Sequence, residues 1–158
     1  MDMHNGLVWL ELANEAETND LAARLARRSR SGDIFALTGD LGSGKTTLAR
    51  GFIRTLTSPS EDVPSPTFTF VQAYDFDYGI IWHFDLYRLA QPEDAVELGI
   101  EHAFGEGISL IEWPERLGPW LPPRCLTIAL HDGPGATARR ACLSGGGEWR
   151  KRLPEILS

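Results

Sequence analysis

The sequence predicts a three-layer α/β fold: a mixed sheet of about seven strands with helices on both faces, in one domain over residues 1–158. Three observations predict it. The apolar run Ile34 to Leu37 passes through a glycine-rich turn into a pattern with Leu48, Phe52 and Ile53 on one helical side, and this strand–turn–helix unit implies a parallel element. Two pairs of strand-like runs joined by short turns imply antiparallel hairpins. Helical segments alternate with the strands, so both faces of the sheet can be covered. At 158 residues, 42% of them hydrophobic, the chain can bury a real core, roughly two-thirds of its unfolded surface.

The elements follow in order. Gly6 to Leu12 reads as a short strand. Asn14 and Glu17 form a variant capping box, as N-cap and N3, for a helix that places Leu21, Ala22, Leu25 and Ala26 on one face. Ser31-Gly32 ends it, with arginines near its C-terminus where they suit the helix dipole. The strand at Ile34 and a helix to about Leu56 come next. Pro59, Pro64 and Pro66 make residues 58–66 a loop. Thr67 to Tyr74 alternates as a strand does, Asp75 to Gly79 turns, and Ile80 to Asp85 completes a hairpin. Pro92 to Leu98 is a short helix stopped by Gly99, and Ile100 to Phe104 adds a turn. Gly107 to Glu112 is a strand broken by Trp113-Pro114. Arg124 to His131 and Arg139 to Ser144 flank the turn Asp132-Gly-Pro-Gly135. Glu148 to Leu157 is a terminal helix, interrupted or bent at Pro154.

The glycine-rich turn carries the strongest motif. Gly39-x4-Gly44-Lys45-Thr46 is the Walker A pattern, with a strand before it and a helix after it. Glycines at 39, 42 and 44 let backbone approach a ligand closely. Loop amides and the helix start converge on one spot, and the helix dipole adds positive potential there. Lys45 can reach β/γ-phosphate oxygens, and the Thr46 hydroxyl can ligate Mg2+.

Charge and composition exclude other classes. A net charge of −7 argues against autonomous binding to a nucleic-acid backbone. From Glu61 to Glu115 there are twelve acids and one base, Arg88. Arginines cluster on the first helix and near the end (Arg139, Arg140, Arg150, Arg152), and they read as solvated faces. Cys125 and Cys142 are too few for a zinc site and read as buried free thiols of a reducing compartment. No basic n-region opens the chain. No stretch approaches ~20 apolar residues. A cytoplasmic, soluble protein without membrane contact is expected. Lys45 and Lys151 are the only lysines and neither lies in the Asn/Thr-Lys-x-Asp pattern of GTPases, so ATP is expected over GTP.

Mg2+ needs an acid near Thr46. Two strands end in one, Phe84-Asp85 and Ile111-Glu112, and either suits the Walker B role. Ser65-Pro66-Thr67 can coordinate Mg2+ or sense a γ-phosphate, although from the pattern alone a strand-start threonine is the simpler account of Thr67. His83 reads as a structural histidine, Trp82 and Trp113 as packing residues, and Arg88 as a phosphate contact or a partner of nearby acids.

Gly39-Asp-Leu-Gly-Ser-Gly-Lys-Thr-Thr47, Ser65-Pro-Thr-Phe68, His83-Phe-Asp-Leu-Tyr-Arg88, Leu98-Gly-Ile100 and Ile111-Glu-Trp-Pro114 together resemble the TsaE (YjeE) family in the same order, from about Asn14 to Arg140. The resemblance implies a P-loop NTPase-like fold and an ATPase required for tRNA threonylcarbamoyladenosine synthesis. It implies docking on a TsaB–TsaD heterodimer, contact with tRNA only through that complex, and hydrolysis that resets the complex between turnovers. Carried over by position, Leu41, Gly42, Ser43, Gly44, Lys45, Thr46 and Thr47 hold the phosphates, and Thr46 and Glu112 bind Mg2+. Asp85 and Thr67 position the attacking water or Mg2+, and Asn14 or Thr18 touches the nucleotide. The resemblance also implies a nucleotide contact near the last hairpin, made in the family by an arginine close to the position where this chain has Thr137 instead. Two other classes share the phosphate loop. A small-molecule kinase needs an arginine-bearing lid, which the acidic span supplies poorly, and an ATP-gated binding module needs no turnover.

Overall fold

A computed structural model describes residues 2–4 and 6–158. It contains β1 (Asp2–His4), β2 (Leu7–Leu12), α1 (Glu15–Arg27), β3 (Ile34–Thr38), α2 (Lys45–Leu56), β4 (Val71–Phe76) and β5 (Gly79–Asp85). A 3-10 segment (Pro92–Leu98), α3 (Ile100–Glu106), β6 (Ile108–Glu112) and a second 3-10 segment (Pro114–Trp120) follow. The chain closes with β7 (Leu126–Asp132), β8 (Arg139–Ser144) and α4 (Glu148–Leu157). One sheet holds all eight strands in the order β1-β2-β8-β7-β3-β6-β5-β4. The extra strand relative to expectation is β1, three residues paired antiparallel with β2.

The centre is parallel and the margins antiparallel. β3 pairs in parallel with both β6 and β7, and β5 in parallel with β6. Strands covered on both faces read as continuous apolar runs, and Ile34 to Leu37 are all buried for that reason. Successive side chains take opposite faces. Phe35 and Leu37 join the core under α1, α2 and α4, whereas Ile34 and Ala36 join the core under α3 and the 3-10 segments. Phe35 packs against Phe52 of α2 (5.1 Å between ring centroids) and Trp149 of α4 (5.5 Å), which ties the phosphate-loop helix and the last helix to one strand.

Four expectations change. Thr67 to Phe70 is not strand: Phe70 has φ 68°, its N–H donates to the Pro66 carbonyl (2.7 Å), and β4 starts only at Val71. The alternating Thr-Phe-Thr-Phe mimics a strand, but Phe68 is 77% exposed. Pro154 does not interrupt α4, which runs through it to Leu157. Arg152 is not on a solvated face; both its terminal nitrogens bond the Asp33 carboxylate at 2.8 Å, and Nη2 also donates to the Arg28 carbonyl. That pair fastens α4 to the start of β3. Arg139 likewise turns inward, onto the phosphate loop. Cys125 and Cys142 are free and buried, as expected.

Candidate functional site

The carboxyl ends of β3, β5 and β6 meet at one cavity of about 290 Å3. It is lined by the loop and helix start from Leu41 to Thr47, by Ser65, Thr67, Asp85, Glu112 and Trp113, and by Arg139. Local sequence explains the loop's path. Gly39 has φ 141°, and a Cβ there would lie 2.5 Å from Ser43 Oγ and 2.6 Å from the Leu130 carbonyl oxygen. Gly44 caps α2 with φ 103°, and the helix begins at Lys45.

Lys45 is 4% exposed. Its ammonium donates to the carbonyls of Gly39 and Asp40 (2.9 Å to the latter) and lies 4.1 Å from the centre of the Trp113 ring. Burial pushes its pKa down, against the opposing pull of Glu112, Glu115, Asp85 and Asp40. Trp113 follows β6 with φ 59°, a turn that brings its indole over the lysine and against Tyr87 (4.9 Å). It is therefore part of the cavity wall and not only packing.

β5 and β6 run in parallel with Asp85 opposite Glu112, so both candidate acids stand side by side. Their partners separate them. The Thr46 hydroxyl donates to Glu112 Oε1 at 2.9 Å, and His83 Nε2 contacts Oε2 at 2.7 Å. The carboxylate is the acceptor, so Nε2–H is the donor. His83 is fully buried, and its Nδ1 has no partner among the described residues. Asp85 serves a second group. Its Oδ2 accepts from Thr67 Oγ1 at 3.1 Å and more weakly from Ser65 Oγ at 3.4 Å; Oδ1 accepts the Tyr87 N–H at 3.0 Å. Glu112 thus faces the helix start and Asp85 faces the proline-rich loop.

Ten predicted residues line the cavity together: Leu41, Gly42, Ser43, Gly44, Lys45, Thr46, Thr47, Thr67, Asp85 and Glu112. Asn14 and Thr18 do not. Asn14 Oδ1 accepts the Glu17 N–H at 3.0 Å as the N-cap of α1, and Thr18 is buried in that helix. Their neighbours Glu15 and Asn19 line a second cavity of about 350 Å3 between α1 and α2, which shares Thr47 with the first. Arg88 forms no ion pair among the described residues; its guanidinium lies 4.4 Å from the Phe68 ring centre. Arg139, His83 and Trp113 belong to the arrangement but were not singled out for it. The strand register could have flagged His83, two residues before Asp85 and so on the same face of β5.

The residues suit a nucleotide with a hard cation. Among the described residues no group of three or more His, Cys, Asp and Glu side chains could hold a metal by itself. The Thr46 hydroxyl and the Glu112 carboxylate instead offer two oxygens side by side, as Mg2+ sites completed by phosphate oxygens do. No helix among the described residues is long and apolar enough to cross a membrane.

The family model "Threonylcarbamoyl adenosine biosynthesis protein TsaE" matches residues 12–141. A Rickettsia felis protein named tRNA threonylcarbamoyladenosine biosynthesis protein TsaE is 41% identical over 122 residues, covering 77% of this chain and 71% of that one. The Bacillus subtilis protein of the same name is 36% identical over 153 residues, covering 96% and 94%. The crystal structure of Bacillus subtilis YdiB superposes with a TM-score of 0.78 at 29% identity, covering 94% of this chain and 92% of that one.

Proposed function

This chain belongs to the TsaE family and its role lies in tRNA threonylcarbamoyladenosine biosynthesis, and we propose that it fills that role as a cytoplasmic, Mg2+-dependent ATPase acting on a TsaB–TsaD heterodimer. The observation that carries the reading is the Thr46–Glu112 hydrogen bond at the start of the phosphate-loop helix, with Lys45 beside it. Loop amides and the α2 dipole hold the phosphates, and Lys45 exchanges loop carbonyls for phosphate oxygens. Thr46 and Glu112 hold the cation, which when bound neutralises charge on the phosphate oxygens. Asp85, through Thr67 and Ser65, orients the water that attacks. Phosphoryl transfer asks little covalent work of the protein, so positioning and electrostatics suffice.

The test is phosphate release from ATP by the wild type, Lys45→Ala and Glu112→Ala, each alone and with the TsaB–TsaD heterodimer. The heterodimer should raise the wild-type rate, and both variants should stay at background. Wild-type rates from both variants contradict the assignment, and so does a wild type that the heterodimer leaves unchanged.

A further inference from the structure

Arg139 opens β8, which is separated from β3 by β7, yet its guanidinium reaches the phosphate loop. Nη1 donates to the carbonyls of Ala136 (3.1 Å) and Ala138 (2.7 Å), which anchors the group to its own hairpin. Nε donates to the Ser43 carbonyl at 2.8 Å, and Nη2 to the Gly42 carbonyl at 2.9 Å. One arginine therefore grips two successive peptide units of the loop.

In a trans peptide the C=O and the following N–H point in opposite directions. Drawing the Gly42 carbonyl toward Arg139 turns the Ser43 N–H away, onto the Asp40 carbonyl at 3.1 Å. Drawing the Ser43 carbonyl the same way turns the Gly44 N–H outward, and among the described residues that amide donates to nothing. Gly42 and Gly44 flank the segment with φ 77° and 103°. Glycines on both sides give these peptide planes freedom to rotate. The Ser43–Asp40 bond holds one of these planes from within the loop, and Arg139 holds the carbonyl side of both from outside it.

We propose that Arg139 is a positioning residue of the phosphate loop: it sets the Gly42–Ser43 and Ser43–Gly44 peptides so that the Gly44 amide is presented to an anion at the start of α2. The consequence for ATP rests on the function proposed above; the consequence for the loop does not. Lysine keeps the charge but lacks the planar fork, so it cannot grip two carbonyls at once.

Two measurements on the full chain test this. Without nucleotide, Arg139→Ala should speed hydrogen exchange at the Ser43 amide at least about tenfold, with β3 and β6 amides unchanged. With ATP, the same variant should bind about 10- to 100-fold more weakly, with KM affected more than kcat, and methylguanidinium should restore part of the loss. Arg139→Lys should resemble the alanine variant, and it takes over the exchange test if β3 amides in the alanine variant also exchange faster. An unchanged Ser43 exchange rate, or a lysine variant equal to wild type, overturns the proposal. A wild type that binds no ATP contradicts the parent reading instead, because the exchange arm needs no nucleotide.

Discussion

Replacing Gly39 by alanine tests whether the first glycine of the loop is there for space and not only for flexibility. The added Cβ would sit 2.6 Å from the Leu130 carbonyl oxygen, which is backbone in a strand paired on both sides and cannot retreat. Ser43 Oγ, at 2.5 Å, can rotate away. The φ of 141° adds strain of roughly 1–3 kcal/mol for a residue with a side chain. With the clash, a loss of about 3 kcal/mol is expected. At this chain length that lowers Tm by about 6–12 °C. Gly42→Ala is the control: its φ is 77° and nothing lies within 4 Å of the added Cβ. Only the left-handed backbone cost of roughly 1–2 kcal/mol applies there. Thermal unfolding followed by circular dichroism without nucleotide measures both, since bound ligand would add stability of its own. Equal losses in the two variants would refute the close contact with β7.

His83→Leu removes a hydrogen bond to a buried carboxylate and should cost about 1.5–3 kcal/mol in urea unfolding, with His83→Gln recovering part; a neutral leucine variant argues that Glu112 is held without it. Arg152→Ala strands the Asp33 carboxylate and should cost about 3–5 kcal/mol, whereas the double variant with Asp33→Asn should lose less than the sum of the two, which a double-mutant cycle reads directly. Burial raises both thiol pKa values above the ordinary 9.0. The folded chain then holds thiol protons that the unfolded chain releases, so this stability is full below pH 9 and is lost as pH rises through the folded values. Replacing both cysteines by alanine should flatten the alkaline slope of stability, and an unchanged slope would contradict the assignment.

The phosphate loop was legible because its chemistry is local: strand, glycines, lysine and helix lie within fifteen consecutive residues. The two-faced burial of β3 was legible from its unbroken apolar run. What stayed hidden depends on register and distance. The residues by themselves left Asp85 and Glu112 open and only the resemblance separated them; the physical distinction needs the β5–β6 pairing, which sets them side by side, and the contact that Thr46 makes with only one. His83 looked structural because its partner lies 29 residues away on the neighbouring strand. Arg139 and Arg152 looked like surface charge because their acceptors are about a hundred residues earlier in the chain. The turn at Thr67 was misread because alternation of threonine and phenylalanine suits a strand, while Phe70 in the left-handed region ends one.

Isothermal titration of the protein with ATP at millimolar Mg2+ tests the central claim most directly. The loop amides, Lys45, Thr46 and Glu112 predict a saturable heat at one site per chain, abolished by Lys45→Ala and weakened when Mg2+ is withheld. The absence of any heat of association, with the TsaB–TsaD heterodimer present as well as without it, would contradict the account.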